Sequence, residues 1–319
     1  MLSNVNFVLS VGSVDGVCTA AAVLRLTGRS AEVGLAFCQA FTVDKVDPSA
    51  WPAGRKVAFV DLAVNNREAA MTASLIQRIR EAGHEVVAII DEHSREDWLG
   101  VMGTFEGLIV EPQSQKAEGG PRSSGELLRR ALEAAGVEAD GHTLELLSAA
   151  DAGDRMDFTT RFGGAVNKAV KSDIANDARR VYLARHFAVH AEPDTTIQRW
   201  MAEYEEILAN HQAILDGRTE LGDGIVRVDA RGKRVDMTTL MGQLYGLPGV
   251  RVVALVGEAY NKALGKKTIQ VSFGCREQLD ILAAVKAVVP TASGFAQKAN
   301  VDPEAEEAAI AAVRAMLAG

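Results

Sequence analysis

Four short segments bring carboxylates, and one of them an imidazole, to places where they could do chemistry. Asp91-Glu92-His93 follows directly on the apolar run Val86–Ile90, with no glycine or proline between. Asp61 closes the run Val57-Ala58-Phe59-Val60. Asp15 follows the apolar stretch Asn6–Ser10 across a polar turn, Gly12–Gly16, and Ala150-Asp151-Ala152-Gly153-Asp154 forms a fourth acidic turn. Two carboxylates about 5 Å apart repel by roughly 3 kcal/mol at an effective dielectric of ~20. A cluster of them must take up protons, recruit Lys or Arg, or hold a divalent cation. Oxygen-rich ligands with one imidazole suit Mn2+ or Mg2+ better than Zn2+ or Cu2+. Each acid also has an ordinary explanation. Asp15-Gly16 is a good turn pair, Asp91 could open a turn before a helix at Ser94, and Asp154 could cap a helix. Arg67, Arg95 and Arg155 lie near enough in sequence to neutralise acids without any metal. The two readings differ on whether the four segments meet.

The elements that carry them predict that they do. Asn6–Ser10, Glu32–Phe37, Val57–Val60, Glu85–Ile90 and Leu108–Val110 read as strands. Val17–Leu26, Arg67–Ala82, a short helix from Ser94, Gly125–Ala135 and Thr143–Ala150 read as helices between and after them. A polar, Gly-rich loop runs from Gln113 to Ser123. Continuous apolar runs alternating with helices indicate a doubly wound, mostly parallel sheet, whose ligands sit outside the carboxyl ends of the strands. Asp15, Asp61 and Asp91 then share one edge. From Asp151 to about His190 the chain reads as helical and basic, with Lys168, Lys171, Arg179, Arg180 and Arg185 on what reads as a solvated face. Thr195–Leu215 is a long amphipathic helix. Beyond it, strands at Ile225–Val228, Val252–Val256 and Ile269–Phe273 interleave with helices and precede a last helix, Pro303–Leu317. The expected division is residues 1–190, a connector over 191–217, and a smaller α/β domain over 218–319.

Composition narrows the function classes. A formal net charge of −8 weighs against a general polyanion-binding surface. The apolar runs are far shorter than a bilayer span, and the first residues carry no basic signal region, so a cytoplasmic protein with no membrane partner is expected. Three cysteines without metal-type spacing read as reduced, buried thiols. No Gly-x-Gly-x-x-Gly follows the first strand, which weakens a dinucleotide-binding reading; Gly163-Gly164 and Gly265-Lys266-Lys267 read as turns.

Taken in order, the four acidic segments resemble the motifs of the DHH phosphoesterases, which pair a DHH domain with a smaller DHHA1 domain. Ser10–Val23 is similar to the first motif, His-x-Asp-x-Asp-Gly with a small-residue helix. Val57–Leu62 is similar to the second, Ala88–Ser94 to the Asp-His-His signature, and Ala149–Asp154 to the fourth, commonly Asp-Thr-Gly-Asp. Ile269–Ile281 resembles the core strand and helix start of DHHA1. The departures fall on the metal chemistry. Val11 stands for the first-motif His, Ser13 for its first Asp and Glu92 for the middle His of the signature. The segment Pro290–Ala296 lacks the closing Gly-Gly-Gly-His.

In that family two Mn2+ ions share the second-motif Asp. Carried over by position, the resemblance leaves one ion only Asp61 and gives the other Asp15, Asp61, Glu92 and Asp151. It implies one Mn2+ or Mg2+ rather than two, His93 and Asp91 as catalytic candidates, and Ser13, Arg276 and Lys298 as substrate contacts. The implied ligand is a small phosphodiester, a short oligonucleotide or a cyclic nucleotide, held in the interdomain cleft. The competing expectation is a degenerate member that binds nucleotide without hydrolysing it, or serves a protein partner as a scaffold; a homodimer is open under either.

Overall fold

The computed structural model describes residues 2–64, 69–103, 123–261 and 266–318; the strand expected at Leu108–Val110, most of the loop ahead of Ser123 and the residue Arg67 lie outside them. The chain divides into two compact units, Met1–Glu203 and Tyr204–Gly319.

The first unit is built on four parallel strands, β1 (Phe7–Val11), β2 (Gly34–Cys38), β3 (Lys56–Val60) and β4 (Glu85–Ile90), in the order β2-β1-β3-β4. Alternation of side chains feeds two cores. Val8, Ala58, Val60, Val87 and Ile90 face one, while Phe7, Leu9, Val57, Phe59, Val86 and Ile89 face the other. The first core is closed by α1 (Val14–Leu26) with α4 (Ser124–Ala134), α5 (Gly141–Asp154), α6 (Arg161–Lys171) and α7 (Asp177–Val189). The second is closed by α2 (Ala69–Glu81) and α3 (Arg95–Met102). Helices on both faces of a parallel sheet make the unit doubly wound, as the apolar strand runs predict.

Two helix boundaries depart from the sequence pattern, and both matter for the site. The expected turn over Gly12–Gly16 is shorter, because α1 starts at Val14 with Ser13 as its N-cap, so Asp15 and Gly16 lie on the first helical turn. The acidic segment at Ala150–Asp154 is not a turn either. It is the end of α5, which places Asp151 and Asp154 about one turn apart on the same helix. Small residues explain both. A Cβ on Gly153 would lie 2.6 Å from Cγ1 of Val14, so glycine lets the two helices meet where turn-coding residues predict a break.

Helix α8 (Thr195–Asp216) runs across the boundary between the units. The second unit carries a mixed sheet of order β5-β6-β7-β8-β10-β9: β5 (Thr219–Gly222), β6 (Ile225–Asp229), β7 (Val252–Asn261), β8 (Lys266–Cys275), β9 (Ser293–Phe295) and β10 (Lys298–Val301). Among the described pairings of this second sheet, β6–β7 is parallel and the others are antiparallel. Val252, Ala254 and Val256 pack with residues of α10 (Ile281–Lys286) and α11 (Glu306–Ala318). Val253 and Leu255 pack with α9 (Met237–Tyr245) and Ile214. No helix among the described residues is long and apolar enough to cross a membrane. Cys18, Cys38 and Cys275 are free and buried, and burial holds Cys38 up at about 12, which leaves it no thiolate at neutral pH.

Candidate metal centre

The carboxyl ends of β1, β3 and β4 do converge. Oxygens of Asp61, Asp91 and Glu92 and a ring nitrogen of His93 all lie within 4.8 Å of one another, and so do oxygens of Asp15, Glu92 and Asp154. Glu92 belongs to both groups. Asp15, Asp61, Asp91 and Glu92 are buried, Asp91 and Glu92 completely.

Each acid is held differently. Asp61 is the residue after β3 and sits at φ 52°, in the left-handed region that costs a non-glycine residue about 1–3 kcal/mol. Its backbone N–H donates to Ile90 O of β4 (2.9 Å), which fixes that turn, and its Oδ2 accepts from Ser13 Oγ (2.5 Å). Ser13 Oγ in turn accepts from Gly16 N (2.8 Å). Asp15 is bound into the start of α4. Its Oδ1 accepts from Thr19 Oγ1 (2.9 Å), Ser124 Oγ (2.7 Å) and Gly125 N (3.2 Å), and its Oδ2 from Ser124 N (2.8 Å). Asp91 accepts from Trp98 Nε1 (2.6 Å) at Oδ2 and from His93 Nδ1 (2.7 Å) at Oδ1. With Nδ1 engaged by Asp91, Nε2 is the ring nitrogen left for another partner.

The structure brings Asp154, rather than Asp151, beside Asp15 and Glu92. Asp151 is occupied elsewhere, accepting from Ser123 Oγ (3.2 Å) and pairing with Arg155 one turn along. Ser13, expected to touch substrate, spends its hydroxyl on the α1 cap and Asp61. Val11 ends β1 as a packed strand residue and offers no donor. Arg276 and Lys298 belong to the second unit. Lys298 stands opposite Gly274 on the neighbouring strand, and the Arg276 guanidinium lies 5.8 Å from the Tyr245 ring centroid.

The electrostatics follow from burying like charges together. Burial, then the nearby Asp15 and Asp91, pushes Glu92 up to about 9. Burial, Asp15 and Glu92 lift Asp61 well above the usual carboxylate range, and Ser13 only partly offsets this. Asp15 is raised by burial against the bonds from Ser124 and Thr19. Burial disfavours a charged His93, but the Asp91 hydrogen bond and surrounding carboxylates prevail and hold it up at about 9. The donor set thus fits one hard divalent cation. It is nearly all oxygen, it converges on Glu92, and its buried acids are held against their charge, which a cation would offset. Where the resembling family places its first-motif ligands, Val11 and Ser13 offer no charged donor, and the two ligand groups that remain, Asp61-Asp91-Glu92-His93 and Asp15-Glu92-Asp154, share Glu92.

Four parallel strands with helices on both faces, followed by a mixed-sheet unit, form the DHH/DHHA1 phosphoesterase fold that the sequence motifs resemble. No protein-family model and no curated protein matches the sequence. Solved structures match along almost the whole chain. The pGpG-specific phosphodiesterase PggH from Vibrio cholerae aligns over 98% of both chains at 11% identity and a TM-score of 0.57. An exonuclease RecJ bound to manganese covers 98% of this chain and 89% of its own at 12% identity and a TM-score of 0.52. RecJ from Thermus thermophilus, in complex with Mn2+, aligns over 98% of this chain at 13% identity and a TM-score of 0.51, and this chain spans about half of its length (52%).

Proposed function

We propose that the protein is a divergent DHH phosphoesterase-like protein that binds a short phosphodiester, a dinucleotide or cyclic nucleotide, through a single divalent cation. The observation that carries this reading is that two groups of potential ligands, Asp61-Asp91-Glu92-His93 and Asp15-Glu92-Asp154, meet at the shared Glu92. Likeness of fold to a pGpG phosphodiesterase and to manganese-bound exonucleases supports the ligand and ion class. Asp15, Glu92 and Asp154, whose oxygens lie within 4.8 Å of one another, would hold the ion, with Asp61 of the adjoining group beside them. Bound there, Mn2+ or Mg2+ supplies positive charge for a phosphate oxygen.

The chain's own residues do the rest. Asp91 fixes the His93 ring through Nδ1, and Trp98 fixes Asp91, so the imidazole is pre-oriented rather than free to rotate. Held charged at neutral pH, His93 can donate a hydrogen bond to a phosphate oxygen or give its Nε2 proton to a leaving alkoxide. Ser13 gives the Asp61 carboxylate a proton donor instead of a second ion.

A second reading, nucleotide binding without hydrolysis, is favoured by this same Ser13: its hydroxyl is committed to Asp61 where the resembling family places a ligand acid. One experiment separates them. Mn2+ is titrated into the folded protein by electron paramagnetic resonance, and a linear dinucleotide such as pGpG is then added and followed chromatographically. One bound ion and dinucleotide-dependent stabilisation support the proposal, with mononucleotide release marking the hydrolytic form and intact dinucleotide the binding form. Two tightly bound ions, or no ion and no effect of the dinucleotide on melting, would overturn it.

A further inference from the structure

Arg180 sits among residues that read as a solvated basic face, yet it is 4% exposed. It projects from α7 to the loop after β1. Its Nε donates to Gly12 O (3.0 Å), its Nη2 to Ile174 O (2.8 Å) and its Nη1 to Asp177 Oδ1 (2.9 Å). A buried guanidinium is expensive to desolvate and persists only where its fork of donors is engaged. Here the bonds reach a backbone carbonyl of the site loop. The closeness is specific, because a Cβ on Gly12 would lie 2.1 Å from Nε and 2.5 Å from Cδ of Arg180. Position 12 is crowded by the arginine and not constrained by backbone conformation, since Gly12 has no positive φ.

Gly12 leads straight into Ser13, whose hydroxyl accepts from Gly16 N and donates to Asp61 Oδ2. A continuous chain therefore runs from Arg180 through the Gly12 carbonyl and the Ser13 hydroxyl to the one acid of the site whose backbone is in the left-handed region. We infer that Arg180 is a positioning residue, setting the Ser13 hydroxyl and through it the orientation of Asp61 in the cation site. Its effect on the ion rests on the single-cation reading above; its hold on Ser13 does not.

The test uses the full chain and two readouts. In the metal-free protein, hydrogen exchange of the Gly16 amide reports the Ser13 cap directly. Arg180→Met should speed it at least about tenfold relative to the wild type while Ala21, deep in α1, is unchanged, and Arg180→Lys should restore part of the protection. In the Mn2+ titration, Arg180→Met and Ser13→Ala should each weaken binding by about tenfold, the lower end of what outer-sphere partners cost. The double variant should be no weaker than either, because both break one chain. Gly12→Ala, which forces the guanidinium away, should reproduce Arg180→Met. Unchanged Gly16 exchange in folded Arg180→Met overturns the inference, as do additive effects of the two substitutions on Mn2+. If the wild type binds no Mn2+, the cation reading fails while the exchange measurement still decides the role of Arg180.

Discussion

Glu92→Gln is the substitution with the most to say about this site. It keeps the shape of a fully buried side chain and removes the titratable carboxyl shared by both groups. At 4.8 Å and an effective dielectric of ~20, each ionised neighbour costs Glu92 about 3 kcal/mol. Its carboxyl titrates near 4.5 when unfolded and about 9 in the fold. A raised folded value means that the protonated form is favoured by folding. Its contribution is complete below pH 4.5 and is lost as pH climbs toward 9, at up to about 1.4 kcal/mol per pH unit. Taken alone this makes the wild type weaker than Glu92→Gln by about 3 kcal/mol at about pH 7. Asp61 and Asp15 relax into the vacated field, which brings the expected gain to about 1–3 kcal/mol. For a unit of roughly two hundred residues each kcal/mol is worth roughly 2–4 °C in melting temperature.

The assay is thermal denaturation in chelator at about pH 5, 7 and 9, repeated with Mn2+. His93, also raised to about 9, loses its own stabilisation between pH 6.5 and 9 in both proteins, so the slope from about pH 5 to 6.5 is the cleaner comparison. The variant should melt higher in chelator with a flatter profile. It should also lose most of the stabilisation by Mn2+, about 2.7 kcal/mol at roughly a hundredfold excess over the dissociation constant for the wild type. Parallel profiles for the two proteins in chelator would refute the claim that Glu92 is held against its charge.

Three further outcomes follow from the same geometry. Asp61→Gly removes both a buried carboxyl and the strain at φ 52°, so the metal-free protein should gain about 1–2 kcal/mol in urea denaturation while Mn2+ binding disappears. Gly16→Ala should destabilise by about 2–3 kcal/mol in the same measurement, since its Cβ would fall 2.2 Å from the backbone oxygen of Val11. His84→Ala should cost about 2–4 kcal/mol, because buried His84 bridges Arg55 N (3.1 Å) and Pro48 O (3.0 Å) and both groups would be orphaned.

The strands and the edge at which they end were legible because a run such as Val86–Ile90 has one physical solution, burial on both faces, and the residue after it must face out of the sheet. The resemblance of the four motifs drew on that placement. What could not be read was set by contacts distant in sequence. Asp15-Gly16 and Asp151–Asp154 carry turn-forming residues locally, yet helix packing at Val14 and Gly153 extends α1 and α5 through them and puts Asp154 where Asp151 was expected. The hold of Ser124 on Asp15 spans 109 positions, and nothing local announces it. Arg180 has the composition of a surface residue, and only its fit against Gly12 shows otherwise. In the second unit, β5, β9 and β10 were too short to register as period-two patterns.

Helix α1 has ten consecutive buried residues, Asp15–Leu24, at the centre of the first core. Of the positions that differ from the resembling family, Ser13 caps this helix and Glu92 follows β4, while Val11 ends β1 packed against the second core. The first core is closed by apolar side chains from β1, β3, β4 and helices α1, α4, α5, α6 and α7, and its packing does not run through the acidic cluster. Such a framework permits drift: the chemistry at the rim can be lost, narrowed or exchanged one residue at a time, with the folded chain surviving every intermediate.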